Sequence, residues 1–332
     1  MDLQQGENSM VQIKKKLGAW LPFASAALFL LLMFAAADSL EEPEIIFPEM
    51  AALVIGAWIA KSQPWQVNRP RMVILLSLSA LAGLLFSRYL PEVFLLQSSI
   101  AFLFALGLLF FSKTTFFPLL SACVLPVLLH TKSFIYPVSV FIMVTLTAVI
   151  QWGLERAGLR MAKEYTPVPS HWSAFLQRLP FLLVVFLLPA IAAQYTKLPF
   201  LIAPPLLVLL LEASSRDSRL RQTPFRVILM VLAVSVLGTA GRLFLLDFLG
   251  WSLTLAGGVV ILAMLALLYG SGLLIPPVGA LGLLPFLIPS QGAIFYPLCT
   301  TITAAFFLTA ACKLPLALTE PPLFCRKNKK CQ

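Results

Sequence analysis

A chain of 332 residues would ordinarily make two soluble domains, but 60% of this one is hydrophobic and only 11% is charged. Soluble chains carry about 45–50% and ~25% respectively, so a water-soluble fold is excluded, and there is apolar length for about ten spans of ~20 residues. The net charge of +10 would suit a nucleic-acid binder, yet the charges sit in short stretches between apolar runs. That excludes nucleic acid as the partner and instead records orientation in a bilayer.

The first run, Leu17 to Ala37, follows Lys14-Lys15-Lys16 and ends in AAAD, which resembles a secretory signal with a small-residue cleavage site. It is longer than the ~7–15 residues of a signal core, and it has a counterpart later in the chain, so it reads as a retained span. Lipid offers backbone groups no partner, so helices are expected throughout. A β-barrel would need alternating segments, and these runs are continuously apolar. Twelve runs follow one another at 17–37, 44–60, 71–87, 92–111, 115–130, 135–154, 178–195, 199–213, 225–246, 250–269, 272–289 and 293–312. About the first ten residues are polar and expected to be loose.

Orientation follows from the basic residues. With twelve spans and the N-terminus inside, all 24 lysines and arginines fall on the cytoplasmic side except Arg88, Lys132, Lys197 and Arg242. Spans five and eleven are short and proline-bearing and could be re-entrant hairpins. That assumption weakens the bias sharply, so twelve spans are kept, with both termini cytoplasmic in a multi-pass inner-membrane protein.

The chain also repeats itself at an interval of about 154–160 residues. Pro43 and Pro48 match Pro199 and Pro204; Gly83 matches Gly238; Arg88 matches Arg242. FFPLLSACVLP (116–126) matches IPPVGALGLLP (275–285), and Tyr136-Pro137 matches Tyr296-Pro297. The expected fold is therefore an all-α polytopic membrane protein of about twelve transmembrane helices, as two tandem six-helix repeats in parallel orientation. Its parts are a cytoplasmic tail (1–16), a first repeat (17–155), a cytoplasmic linker (156–177), a second repeat (178–313) and a basic tail (314–332).

Several residues are candidates for a substrate pathway. Pro118, Pro126, Pro276, Pro277 and Pro285 interrupt spans five and eleven, each removing an N–H and freeing a carbonyl. Gly279, Ala280 and Gly282 admit close approach of a helix or substrate. These features suit either a broken-helix binding site or a kinked packing seam. Arg88 and Arg242 lie near the outer ends of spans three and nine, where cations are scarce. They could attract anions, or snorkel to headgroups beside Glu92 and Asp247. Glu49 and Glu212 are the carboxylates nearest membrane depth, as proton relay, counter-ion or interfacial residue; Arg216 is a partner in reach of Glu212.

Other chemistry finds little support. His130 and His171 are separated and have no acidic or thiol cluster nearby, which argues against a metal site. Cys123, Cys299 and Cys312 lie in apolar runs, and Cys325 and Cys331 flank RKNKK without pairing spacing. The basic loop 216–226 and the tail 326–330 could touch anionic headgroups, though orientation alone accounts for them. Phosphate-loop, H-E-x-x-H and G-x-S-x-G elements are missing, so an enzyme is not expected, and no cofactor is implied.

The segment 275–289, with Pro276-Pro277 followed by Gly279-Ala280, resembles the HPP family of integral membrane proteins, whose signature is His-Pro-Pro before a small-residue run. Pro118 with Ser121-Ala122 fits the same pattern in the first half, so the chain looks like two fused copies. The family's histidine position holds Ile275 and Phe116 here. Some members are linked to nitrite transport, so the resemblance implies a small-anion transporter. The remaining alternatives are a non-transporting membrane scaffold or assembly partner, and, more remotely, an aromatic-acid exporter.

Overall fold

The structure is a computed structural model describing residues 2–60, 62–169, 172–215 and 218–313. Lys61, His171, Arg216 and the basic tail with Cys325 and Cys331 lie outside the described residues. All regular structure among those described is helical.

Fourteen helices follow in order among the described residues. They are α1 (Asp2–Ser39), α2 (Glu49–Val54), α3 (Arg69–Tyr89), α4 (Phe94–Ser112), α5 (Pro118–Leu128), α6 (Ile135–Arg156) and α7 (Trp172–Thr196). Then come α8 (Pro204–Ala213), α9 (Arg219–Gln222), α10 (Pro224–Ala240), α11 (Leu253–Gly270), α12 (Pro276–Leu283), α13 (Ser290–Ala293) and α14 (Tyr296–Lys313). The α1 helix already begins at Asp2, so the opening residues expected to be loose are helical; Gln, Glu and Lys there are good helix formers.

Among the described residues, seven helices are long and apolar enough to cross a bilayer. They are α1 from Trp20, α3, α4, α6, α7, α10 with its π-helical continuation to Phe248, and α11. Their outward faces are as apolar as their inward ones. On α6, Val138, Phe141, Ile142, Leu146 and Val149 are all exposed, at the i, i+3/i+4 spacing of one helix face. Water would not tolerate that stripe, whereas lipid would, so the chain is an integral membrane protein.

The run expected at 293–312 is α14, as long as α11 at 18 residues but not among those seven, and the other four runs hold shorter helices. The runs expected at 44–60, 115–130, 199–213 and 272–289 contain α2, α5, α8 and α12, each only part of a bilayer long. Turns of 3-10 helix precede α2 and α8 and follow α12, and a π turn (Ile55–Ile59) extends α2. Hydropathy merges these helices with their apolar flanks, which is why the runs read as whole spans.

Non-glycine residues in the left-handed region end several helices: Glu41, Lys113, His130 and Lys197. After α5, His130 takes that role, and the Thr131 amide reaches back to the carbonyl of Pro126 at 2.9 Å, closing the helix as a Schellman-type cap.

Contacts between loops fall into two separate sets. At one end, Trp65 meets Glu212, Gln66 meets Thr115, Arg71 meets Ser112, and Arg221 meets Cys312. At the other, Asp38 meets Thr254, Lys132 meets Glu92, Gln194 meets Leu95, and Arg242 meets Ser290. The polar linker expected at 156–177 does not hang free at the first end. Arg160 donates to the Gly56 carbonyl at 3.1 Å and Lys163 to the Gln63 carbonyl at 2.7 Å. Burial lowers the pKa of both cations. Tyr165 bonds Arg71 and lies under its guanidinium.

Candidate functional site

Four short helices meet in the interior. α2 packs on α12, and α5 packs on α8. Each starts at proline: Pro48 precedes α2, Pro118 opens α5, Pro204-Pro205 open α8, and Pro276-Pro277 open α12. Proline is pre-set for a first helical turn, where its missing N–H costs nothing. Every residue of α2, α5 and α12 is buried.

That placement corrects one expectation. Pro118, Pro276 and Pro277 do not break helices and free no carbonyl, because they begin them. Only Pro126, inside α5, and Pro285, in the turn after α12, deprive a carbonyl four residues earlier of its helical donor. Those carbonyls belong to Ala122 and Leu281, and each has a replacement donor. The Tyr136 hydroxyl donates to Ala122 at 2.9 Å, and the Tyr296 hydroxyl to Leu281 at 2.8 Å. Phenylalanines lie edge-on against both rings, Phe47 on Tyr136 and Phe200 on Tyr296. The matching prolines and Tyr-Pro pairs were visible in the sequence; the hydrogen bonds that join them were not.

One residue further on, the backbone is packed equally closely. A methyl group built on Gly83 of α3 would land on the Cys123 carbonyl, and one on Gly238 of α10 would land on the Gly282 carbonyl. Gly279 faces Ala51 of α2 and Ile55 of the π turn that follows it, and Gly282 faces Val234 and Met264. Side chains thus cover these glycines, and Ala280 beside them is fully buried.

Glu49 opens α2 and is 1% exposed. Neither of its carboxyl oxygens makes a hydrogen bond of good geometry, and the hydroxyl of buried Ser121 on α5 lies within interacting reach of it. Tyr136 and Tyr296 are both within electrostatic reach of the carboxyl. Glu49 has no lysine, arginine or histidine partner among the described residues.

Glu212 is at the opposite end of the seam. Its Oε1 accepts from the Trp65 indole at 3.0 Å, and the Trp65 ring stands edge-on to Phe116. Trp65 was not anticipated, since the contact joins residues 147 apart. Arg216, the partner expected for Glu212, lies outside the described residues.

Arg88 and Arg242 are both engaged. Arg242 is ion-paired with Asp247 at 3.2 Å and donates to Ser290 at 3.3 Å. The π winding of Gly241–Phe248 puts residues five apart on one face. Arg88 lies over the rings of Phe134 and Tyr89, while Glu92, fully exposed, pairs with Lys132, which lowers its pKa. A cavity of about 100 Å³ lies away from Glu49, between α4 and α7, with Phe110, Phe117, Phe181, Arg178 and Ser214 in its wall.

The chain matches no protein family, no curated protein and no solved structure.

Proposed function

We propose that the protein carries a small solute across a bilayer, through the seam where α2, α5, α8 and α12 meet. The supporting observation is that four part-length, proline-initiated helices pack together and one of them carries a buried carboxyl with no cation beside it among the described residues. Polar groups at membrane depth are costly and are kept where something must be bound. Lipid-facing helices alone would need none of this.

We read the twelve passages as two six-element halves in one orientation, related by an axis along the membrane normal. Three parallels support that reading. Tyr136 and Tyr296 bind the carbonyls left free by Pro126 and Pro285; Gly83 and Gly238 press on equivalent carbonyls; and α2 on α12 mirrors α8 on α5. The division of the loops into two sets supports twelve passages, and the positive charge of the linker end supports cytoplasmic termini in an inner membrane.

An anion such as nitrite is the substrate class suggested by the HPP resemblance of Pro276-Pro277 and Gly279-Ala280. The engaged state of Arg88 and Arg242 lends it no further weight. The test is flux in proteoliposomes over a panel of small anions and neutral solutes. Flux above that of protein-free vesicles for any member supports transport.

A second reading, a membrane scaffold, draws on the filling of Gly279 and Gly282 by neighbouring side chains. It predicts no flux for any solute, and loss of a co-purifying partner in a Gly279→Leu variant.

A further inference from the structure

We propose that Glu49 is a proton-binding site whose carboxyl takes up and releases one proton as the seam between α2 and α12 closes and opens. The proposal deepens the transport reading and rests on it for the purpose of the proton.

Three buried oxygens, the two of Glu49 and that of Ser121, sit within reach of one another without a hydrogen bond of good geometry, in a region otherwise filled with side chains. Removing an ion from water is costly even after the protein relaxes. A carboxylate here has no cation to offset that cost, so the closed form holds the neutral acid. An acid O–H needs an acceptor, and Ser121 is the adjacent group that can both accept from it and donate to its other form. Glutamate would be a poor choice for mere packing, because Gln or Leu fills the same volume without a titratable group.

The neighbours leave the charge change to Glu49 alone. α2 packs against α1, α5, α6, α12 and the π turn that follows it. From α5 the titratable neighbour is Cys123, from α6 it is Tyr136, and from α14 Tyr296 also reaches the carboxyl. Both tyrosine hydroxyls are already donating to carbonyls. The 276–283 segment and the π turn contain no titratable side chain, and Asp38 of α1 is held by Thr254. Five residues before Glu49, Glu44 stands partly buried in the 3-10 turn that precedes α2, a second carboxyl through which the proton enters from that end.

The experiment is infrared difference spectroscopy of the full-length protein in liposomes, between acid and alkaline buffer with no solute present. The wild type is expected to show a protonated-carboxyl band that disappears as pH rises. Glu212 is a second interior carboxyl and adds a band of its own, so Glu49→Gln should remove one titrating component and Glu212→Gln should leave that component in place. Glu49→Asp, which keeps the acid, should retain a titrating band at a displaced frequency, so the site stays testable should Glu49→Gln misfold. A wild-type band that ignores pH, or one unchanged in Glu49→Gln, overturns the proposal. So does loss of the band on adding sodium at constant pH, which would make the site one for a metal cation. A titrating Glu49 in a protein that moves no solute removes transport and keeps the site. Flux without a titrating Glu49 does the reverse.

Discussion

The Tyr136 hydroxyl donates to the Ala122 carbonyl, the group that Pro126 leaves without its helical N–H. An unpaired buried carbonyl costs about 1–3 kcal/mol, though interhelical bonds in membranes average only ~0.6 kcal/mol. Tyr136→Phe is therefore expected to destabilise the protein by about 1 kcal/mol in reversible unfolding from mixed micelles. Pro126→Ala restores the backbone donor, so the same Tyr136→Phe change should cost less in that background. Tyr296→Phe with Pro285→Ala should behave alike. Equal costs in both backgrounds would detach the tyrosines from the prolines.

Gly83 and Gly238 predict a steric result. A methyl at either position meets a backbone carbonyl oxygen, and backbone cannot rotate away as a side chain can. Alanine there should lower stability by about 1–3 kcal/mol, the usual range for overpacking. Gly107 is the control, since nothing lies within 4 Å of a methyl built on it. Gly107→Ala should leave stability unchanged or raise it by up to ~1 kcal/mol through helix propensity. Thermal unfolding in detergent separates the three variants.

Two carboxyls outside the membrane-crossing helices, Glu44 and Glu92, should respond to pH in opposite senses. Burial raises the pKa of Glu44, more than hydrogen bonding by Ser133 and Thr131 lowers it. Its folded form holds the proton more tightly than the unfolded chain, so its contribution is present in acid and lost as pH rises through the folded value. Lys132 lowers the pKa of Glu92, so that contribution is present above the unfolded value and lost as pH falls through the folded one. In melting curves across pH, Glu44→Gln should remove a loss on the alkaline side. Glu92→Gln should remove a smaller loss in acid, since surface pairs contribute little.

The linker should resist cleavage as long as its cations are anchored. Arg160 and Lys163 bind the backbone of the first half at Gly56 and Gln63. A double Arg160→Ala/Lys163→Ala variant is expected to be cut within 157–169 several-fold faster by a protease added on that side. Unchanged cleavage would mean that the linker is held by Tyr165 and Val168 instead, through Arg71 and the Lys113 carbonyl.

Membrane character, helical class and the inner prolines were legible because each is local: an apolar run, or a residue that lacks an N–H. Lengths were less so. The run 44–60 contains a six-residue helix because Pro43 and Pro48 force turns that hydropathy does not register. Glu49 could be singled out but not resolved, since its isolation depends on what α5, α6 and α14 bring to it. Trp65 with Glu212, and Arg160 with Gly56, join distant positions and left no spacing to read. The Arg242–Asp247 pair was readable because the two are five residues apart.

The central claim is that the α2–α12 seam must move for a solute to pass, and a reversible lock tests it most directly. A methyl at Gly279 would stand 3.6 Å from the Ala51 Cβ, within the ~3.5–4.5 Å of a disulfide, with only the flexible end of Ile55 to displace. The measurement is solute flux in proteoliposomes carrying the Ala51→Cys/Gly279→Cys pair, oxidised and then reduced. The account predicts flux that stops on oxidation and returns on reduction; flux that is indifferent to the lock would contradict it.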